Sequence, residues 1–523
     1  MTYFITYFRY WMLASICIMS CSLALAQAEG TVDTTFADNG FSVENFGVSR
    51  SLILSVNVME NGQFYATGPA GNPGGLLALT VKHNADGSYD QDFGDQGGAY
   101  LLAFPFSAIP SASVLQPDGK IVFAGTQTSG GIDALMVGRF TADGQLDNSF
   151  SGDGYIRSNL GSRDGYLSVG LQSDGRIVAG GRLNGQVLLG RYLTDGTLDP
   201  DFGDNGYVQT PYGGDATARS MAVLPDDRIL TVGSDDGRLA MGRYLSDGQL
   251  DTTFGQGGKV SMHLGYDQFA IETRLSPDGT YLVTGSLFNV NGNGKDDIYV
   301  AKFQASGVLD STFGNQGIVA IDFDGNDDDG GSLDIDAEGR IIVAGESYRA
   351  NAYEHMAVAR LLPDGQLDTT FRDSGQALIP VPGFAISGAY QVRVDAEGSI
   401  ILGGYAGSSA WNPQFAVVKL MGSAQNTTDF ILPQAPQNFS LSVYPNPVIA
   451  QATLKLELQE ADRLSTKLVD QQGRTVQVIT SEQHFSPGMH ELPLNIAALS
   501  SGLYHLVAQG QSGAYQVITV RKE

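Results

Sequence analysis

The feature that most constrains the fold is a unit of 52 to 59 residues that recurs seven times. A motif of the form L-D-x-x-F-G-x-x-G marks each copy. Its phenylalanines are Phe36, Phe93, Phe150, Phe202, Phe254, Phe313 and Phe371. A unit of this length cannot bury its apolar face alone, so tandem copies must pack against one another.

A second motif, apolar-x-x-D/E-G-x-apolar-apolar-x-x-G, lies between successive copies of the first. It ends at Gly68, Gly125, Gly181, Gly233, Gly285, Gly345 and Gly404. Asp-Gly or Asn-Gly between two apolar runs is a strong β-hairpin signal, because the turn needs positive φ angles. Each unit therefore predicts four short strands, which in the third unit fall near 155–159, 167–171, 176–180 and 187–192. No segment of 30–420 has a helical apolar period, which excludes a helical repeat.

Seven four-stranded units predict an all-β fold, a seven-bladed β-propeller, because radial closure protects sheet edges. With blades assigned from 41–83 to 376–420, six of the phenylalanine motifs lie between blades. We predict that the remaining motif, from Val32 to Phe36, packs between the last blade and the first and closes the ring. Each phenylalanine is expected to fill the wedge between neighbouring blades, and each motif Asp to accept backbone hydrogen bonds in a turn.

These motifs resemble those of the delta-60 repeat family of propellers. The run from Leu115 to Gly125, L-Q-P-D-G-K-I-V-F-A-G, matches the family's second motif almost completely. The resemblance covers about residues 31–420. It implies a propeller domain, placed at 27–422, and leaves activity open because a propeller is a scaffold.

A different pattern follows a polar linker at 423–440. Seven alternating runs in 441–523 predict a small immunoglobulin-like β-sandwich. The segment resembles the type A C-terminal sorting domain of the type IX secretion system of Bacteroidetes-type bacteria. The matching residues are Tyr444, Pro445, Asn446, Pro447, Gly473, Gly502, Tyr504 and Lys522. The resemblance implies an interaction with the secretion machinery and a secreted or cell-surface location. An ordinary immunoglobulin-like binding domain is the alternative.

The N-terminus is typical of a signal peptide, predicted over 1–26 with cleavage between Ala26 and Gln27. A lipoprotein signal ending at Cys21 is an alternative that Met19 fits poorly. Both cysteines lie in this segment, so the exported chain is expected to contain neither thiol nor disulfide. No later stretch is long and apolar enough to predict a membrane-spanning segment.

The formal net charge of −26 lies in the repeat region. Such an acidic surface repels phosphate backbones and anionic membranes, so it argues against nucleic-acid binding. The simplest interpretation of the charge is that it keeps an extracellular protein soluble, and we expect a monomer.

No catalytic constellation is evident, because nearly all acidic residues recur in every unit and an active site needs asymmetry. The neighbouring Glu354 and His355 are a weak acid/base candidate. Two acidic loops, 289–297 and 322–329, have a calcium-loop outline. The first has amides at key positions. The second has Asp327 where the standard loop has Gly and Leu333 where it has Glu. We therefore predict no cofactor, with calcium as the open alternative.

The irregular loops, 69–76, 126–133, 286–297, 346–354 and 405–414, are predicted on one face of the propeller. Tyr348, Arg349, Tyr353 and Trp411 lie there, and exposed aromatic and Arg side chains favour contact with sugars or proteins. The sequence therefore predicts an exported, non-enzymatic binding module for a glycan or protein. The alternatives are a propeller hydrolase acting on extracellular glycan or peptide, and a purely structural surface protein.

Overall fold

A computed structural model describes residues 28–422 and 439–522. It leaves out 73–74, 95–98, 103–106, 130–131, 162–164, 289, 291, 293, 350–352, 373, 445–447, 449, 460, 470–474, 498, 500–501 and 511–514. The predicted cleavage site at Ala26 and Gln27 and most of the predicted linker lie outside the described residues. The chain divides into two compact units, Met1–Gln425 and Asn426–Glu523. All regular elements of the described residues are strands, so none of them forms a helix that could span a membrane.

The strands before residue 421 pair into seven antiparallel four-stranded units. From first to fourth strand, the first three units are Arg50–Ser51 with Ser55–Val58, Phe64–Asn72, Gly75–His83 and Ala99–Leu102; Ser107–Leu115, Ile121–Ser129, Ile132–Phe140 and Tyr155–Ser158; and Gly165–Leu171, Ile177–Leu183, Gln186–Tyr192 and Tyr207–Thr210.

The remaining four units follow the same order. They are Ala216–Val223, Ile229–Asp235, Arg238–Tyr244 and Lys259–Met262; Gln268–Leu275, Tyr281–Phe288, Asp296–Phe303 and Ile318–Ile321; Asp327–Ile335, Ile341–Arg349, Tyr353–Leu361 and Gln376–Ile379; and Ile386–Val394, Ile400–Gly407, Gln414–Leu420 and Phe41–Glu44.

The first strands of successive units touch one another, and that of the seventh unit touches that of the first. The units therefore surround a common axis, which confirms the predicted all-β propeller fold.

The N-terminal segment closes the ring. Val32 forms a bridge with Leu420, and the amide of Asp33 donates to the carbonyl oxygen of Lys419 at 2.9 Å. Phe36 is 1% exposed and packs with residues of the first unit and of the seventh, including Phe64 and Val417. The predicted closure is therefore observed.

The predicted assignment of strands to units was wrong by one strand. We grouped 155–159 with the strands that follow it, but Tyr155–Ser158 pairs with Ile132–Phe140, which precedes it. Likewise Phe41–Glu44 belongs to the last unit, not to the first. The reason is that each fourth strand follows an L-D-x-x-F motif in the chain. The motif therefore connects the third and fourth strands of one unit, while its Phe packs between two units.

The glycine that ends the second motif has a steric cause. In units two to seven, this glycine of the second strand pairs with a residue of the first strand, and the pairing becomes irregular directly after that residue. A Cβ at Gly233 would lie 1.8 Å from the carbonyl oxygen of Thr217, and one at Gly404 would lie 1.9 Å from that of Gly388. The equivalent glycines of the other units have the same contact at 1.8 to 2.0 Å. Only Gly fits there, because real Cβ atoms do not approach a carbonyl oxygen so closely.

The Asp of the first motif has a second role that we did not predict. As expected, one oxygen of Asp147 accepts the amide hydrogen of Ser149 at 3.0 Å. The other oxygen accepts from Nε of the buried Arg139 at 2.7 Å, and that guanidinium lies 4.7 Å from the ring centroid of Phe150. Arg191, Arg243 and Arg360 repeat the arrangement. The Arg of the third strand therefore binds both ends of the motif.

The C-terminal unit has two sheets that share one core. The three-stranded sheet contains Phe439–Tyr444, Gln451–Leu458 and Gly488–Asn495. The four-stranded sheet contains Thr475–Phe485, Asp462–Val469, Gly502–Gly510 and Tyr515–Lys522. Leu454 and Leu494 of the first sheet and Leu468 and Leu506 of the second belong to the same buried cluster. The seven predicted strands are confirmed.

Candidate functional site

The two ends of the propeller units differ in regularity. The Asp-Gly hairpins and the L-D-x-x-F links emerge at one end. The loops between second and third strands, and the connections from each fourth strand to the next unit, emerge at the other. We call the second end the variable-loop face. Strand direction places all five irregular loops of the sequence prediction on it.

Exposed aromatic side chains of the described propeller residues are confined to this face. They are Tyr266, Phe269, Phe288, Tyr348, Tyr353 and Trp411. The large apolar side chains exposed at the regular end are Leu245, Val308 and Leu367, all aliphatic. Because a monomer rarely collects exposed aromatic surface on one side without a use for it, the asymmetry marks this face as the candidate site.

The four predicted ligand residues lie on this face in different settings. Trp411 is 89% exposed, and Tyr353 is 48% exposed. Tyr348 donates from its hydroxyl to Oε1 of Glu346 at 2.9 Å, and Arg349 forms an ion pair of 2.9 Å with Asp324. Trp411 and Tyr353 are therefore available for contact, whereas Tyr348 and Arg349 are also tied to acidic neighbours.

A buried tyrosine joins two glutamates next to these residues. The hydroxyl oxygen of Tyr405 lies 2.7 Å from Oε2 of Glu346 and 2.8 Å from Oε2 of Glu354. The ring of Tyr390 lies 5.4 Å from that of Tyr405. We call Glu346, Tyr348, Glu354, Tyr390 and Tyr405 the Tyr405 cluster. One phenol proton cannot serve two carboxylates, so a further proton is needed for both contacts to be hydrogen bonds.

Burial raises the pKa of Glu346, while hydrogen bonds from Tyr405 and Tyr348 act in the opposite direction. Burial and the adjacent Glu346 raise the pKa of Tyr405, which keeps the phenol protonated at neutral pH. Glu354 and His355, the acid/base candidate that we weighed, meet through the backbone: Nδ1 of His355 contacts the backbone oxygen of Glu354, at 2.9 Å.

The Tyr405 cluster borders a cavity of about 430 Å³. Tyr390 and Tyr405 form part of its wall, and Arg50 supplies a positive charge. Most of the remaining wall is apolar, formed by Leu52, Leu54, Pro69, Leu76, Ile109, Ile386, Ala410 and Pro413. Trp411 lies in the chain between the last two of these residues. Apolar walls with a few polar groups are typical of small-ligand sites.

Gly388 makes this arrangement possible. It lies opposite Tyr405 in the strand register. A Cβ at this position would meet Oε2 of Glu346 at 2.1 Å and Cε1 of Tyr405 at 2.6 Å. A larger residue would therefore separate the tyrosine from the glutamate.

Sequence reasoning missed Glu346, Tyr390, Tyr405 and Arg50. A usable signal exists at the residue that follows the last glycine of the second motif. This position holds Pro69, Thr126, Arg182, Ser234, Ser286, Glu346 and Tyr405. In the sixth and seventh units it carries the two residues that meet at the cavity. Comparing units position by position would have found them.

The two acidic loops, which we weighed separately, come together in the structure. Carboxylate oxygens of Asp297, Asp322 and Asp328 all lie within 4.8 Å of one another. Burial, followed by the charges of Asp322 and Asp296, raises the pKa of Asp297 to about 6. Burial, followed by Asp322 and Asp297, raises the pKa of Asp328 to about 7, against hydrogen bonds that lower it. The three aspartates therefore lie close enough to repel one another.

The sorting-domain residues lie in the C-terminal unit. Tyr444 ends its strand and is 75% exposed, and Tyr504 is buried in the core. Gly502 and Lys522 lie opposite each other in the last sheet, and Lys522 also forms a parallel bridge with Val448. Pro445, Asn446, Pro447 and Gly473 lie outside the described residues.

Comparisons with known families agree with this division. Residues 116–150, 172–202, 224–254, 276–313 and 337–371 match the domain of unknown function (DUF5122) beta-propeller. Residues 442–520 match the secretion system C-terminal sorting domain. The chain carries DUF5122 propeller repeats and a sorting domain. It is therefore exported to the cell surface or the extracellular space by type IX secretion. No curated relative matches the sequence.

Solved structures similar to this chain have low identity. A protein from Lactobacillus plantarum is 13% identical with a TM-score of 0.41, over 86% of this chain and 99% of its own. A protein of unknown function from Dyadobacter fermentans is 10% identical with a TM-score of 0.39, over 73% and 98%. Sqt1 from Chaetomium thermophilum is 12% identical with a TM-score of 0.40, over 73% and 100%.

Proposed function

We propose that this exported propeller is a binding module and that its variable-loop face binds a neutral glycan. The observation that supports this proposal is the confinement of exposed aromatic side chains to one face of the described propeller. Aromatic rings stack on the apolar faces of sugars, and Trp and Tyr offer large contact areas at low entropic cost.

The chemistry of the cavity favours a neutral ligand. The hydroxyls of Tyr390 and Tyr405 in the cavity wall can exchange hydrogen-bond partners with sugar hydroxyls, and Glu346 and Glu354, in contact with Tyr405, are further acceptors. The net charge of −26 disfavours sulfated or uronic-acid polymers, because they would be repelled over the whole domain. Trp411, next to the cavity wall, would supply the stacking surface.

An array of neutral and acidic oligosaccharides, probed with the chain from Gln27 to Glu523, tests the proposal. Titration calorimetry on the best neutral ligand then compares Trp411→Ala and Tyr353→Ala with the parent. We expect each variant to bind about five- to tenfold more weakly, given about 1 kcal/mol for a stacking contact. Leu245→Ala, which removes a 40% exposed side chain from the regular end, is the matched control and should bind normally.

The proposal is rejected if no neutral oligosaccharide binds, or if the two aromatic variants bind as the parent does. Binding of basic peptides alone would instead support a protein ligand. If neither class binds, the purely structural alternative is favoured.

A hydrolase is the second candidate, favoured by one observation. Glu346 and Glu354 both lie within hydrogen-bond distance of one phenol oxygen, so their nearest oxygens are at most about 5.5 Å apart. Retaining glycosidases hold two carboxylates about 5–5.5 Å apart. Incubation with the bound oligosaccharide and analysis of the products separates the candidates. Cleavage that Glu354→Gln abolishes without weakening binding would favour the enzyme.

A further inference from the structure

The three clustered aspartates come from three segments at the junction of the fifth and sixth units. Asp297 is the second residue of strand Asp296–Phe303, and Asp322 follows strand Ile318–Ile321. Asp328 is the second residue of the next unit's first strand, Asp327–Ile335. All three positions are on the variable-loop face, and none of the three residues lines the cavity.

The cluster is buried and strongly acidic. Asp297 and Asp328 are 0% exposed, and Asp322 is half-buried. The basic side chains of the adjoining loops form ion pairs with other carboxylates, Lys295 with Asp327 and Arg349 with Asp324. Carboxylates are rarely buried together unless a cation or a proton offsets their charge.

A second observation concerns Asp328 itself. Its Oδ2 atom accepts the amide hydrogen of Phe323 at 2.6 Å, which fixes the carboxylate. Its Oδ1 atom is buried and has no hydrogen-bond partner among the described residues. The hydroxyl of Ser347, which is opposite Asp328 in the register and 0% exposed, faces the same carboxylate. Buried oxygens without a donor call for a water or an ion.

We propose that Asp297, Asp322 and Asp328 bind a calcium ion that links the fifth unit to the sixth. All the candidate ligand atoms are hard oxygens, the type that calcium prefers. Oxygens on opposite sides of a calcium ion are about 4.8 Å apart, because each Ca–O distance is about 2.4 Å. The aspartate oxygens all fit within that span, and magnesium would need a tighter shell.

The proposed site explains why neither loop matches a calcium motif by itself. Loop 322–329 supplies two ligands and loop 289–297 supplies one, so the ligands are divided between segments that are distant in sequence. The amide hydrogen of Gly325 donates to Oδ1 of Asp322 at 2.6 Å, which holds this carboxylate in place.

Calcium titration of the chain from Gln27 to Glu523, stripped with a chelator, tests the site. Calorimetry with CaCl₂ should give a dissociation constant below about 1 mM. The midpoint of thermal unfolding should rise by several degrees, because calcium binds the folded state. MgCl₂ should bind at least tenfold more weakly.

Asp328→Asn and Asp322→Asn should each weaken calcium binding at least tenfold and reduce the thermal shift. Asp267→Asn, whose side chain is 78% exposed on the same face, is the control and should bind like the parent. If Asp328→Asn does not fold, as judged by near-ultraviolet circular dichroism, Asp322→Asn at the half-buried position decides.

Three results would overturn the proposal. The first is that the parent binds no calcium up to about 10 mM, since the weakest natural calcium sites have dissociation constants of about 1 mM. The second is full calcium binding by the Asn variants that fold. The third is tighter binding of magnesium than of calcium. None of them depends on the glycan proposal, because the readout is the metal itself.

Discussion

Phe41 lies opposite Val418 in an antiparallel ladder, although 377 positions separate them in the chain. The pairing makes the first described strand the fourth strand of the last unit. It also covers the edge of Gln414–Leu420, which would otherwise expose unpaired backbone groups. The stability of the propeller should therefore depend on the N-terminal segment as much as on any internal unit.

Phe36→Ala tests this dependence. Phe36 is fully buried between the first and seventh units, so its removal should cost about 3–5 kcal/mol of unfolding free energy. Phe269→Ala removes the same side chain from a 56% exposed position and should change stability by less than about 0.5 kcal/mol. Urea unfolding followed by circular dichroism measures both. Equal midpoints for the two variants would contradict closure by Phe36.

Gly233→Ala tests the steric account of the repeated glycine. Its Cβ would lie 1.8 Å from the carbonyl oxygen of Thr217, so the strand must move, and we expect a loss of about 2–3 kcal/mol or more. Gly75→Ala is the control, because its Cβ would meet only Oγ of Ser107, at 3.8 Å. We expect that change to be neutral or slightly stabilising. Thermal unfolding of the two variants gives the comparison, and a tolerated Ala at 233 would refute the account.

The repeat made the fold predictable because hairpins, apolar alternation and wedge phenylalanines are all local signals. The boundaries between units were not predictable in the same way. Each L-D-x-x-F motif is followed by a strand that pairs backwards, as Tyr155–Ser158 does with Ile132–Phe140, and only the pairing reveals this. The role of Arg139 was missed because its partners, Asp147 and Phe150, meet it only when the chain turns back.

Asp147→Asn should break the ion pair between residue 147 and Arg139. Burial would raise the pKa of Asp147, but hydrogen bonds from Ser149 and the ion pair with Arg139 lower it to about 2. A lowered folded-state pKa stabilises the protein above the unfolded value of about 3.9, and this stabilisation is lost as pH falls towards 2. The variant leaves Arg139 buried without its counter-charge, so at pH 7 we expect a loss of about 3 kcal/mol.

Urea unfolding at pH 7 and at pH 2.5 measures this effect. The variant should be closer to the parent at pH 2.5 than at pH 7, since Asp147 of the unfolded parent is then protonated and most of the stabilisation from its lowered folded-state pKa is lost. Asp118→Asn, at a 58% exposed side chain in the same unit, should cost less than about 1 kcal/mol. A difference from the parent that is the same at both pH values would argue against the ion pair.

The candidate site was predictable in position but not in chemistry. Strand order placed the irregular loops on one face, and Trp411 and Tyr353 are exposed there. The contact of Tyr405 with Glu346 joins two units and needs Gly388, so no local sequence pattern predicts it. The aspartate cluster likewise combines two loops that are incomplete when read separately.

His83→Phe should stabilise the propeller in acid. His83 occupies the aromatic position that holds Phe140, Tyr192 and Tyr244 in the next three units, and its ring stacks on Phe64 at 4.5 Å. Burial lowers the pKa of His83 to about 3, so the folded state keeps the ring neutral while the unfolded chain binds a proton below about pH 6.5.

Stability should fall as pH drops from about 7, by about 2 kcal/mol at pH 5. Phe lacks this titration and keeps the stacking, so the parent and variant midpoints in urea should diverge as pH decreases from 7 to 5. The interpretation fails if the difference between them is the same at both pH values.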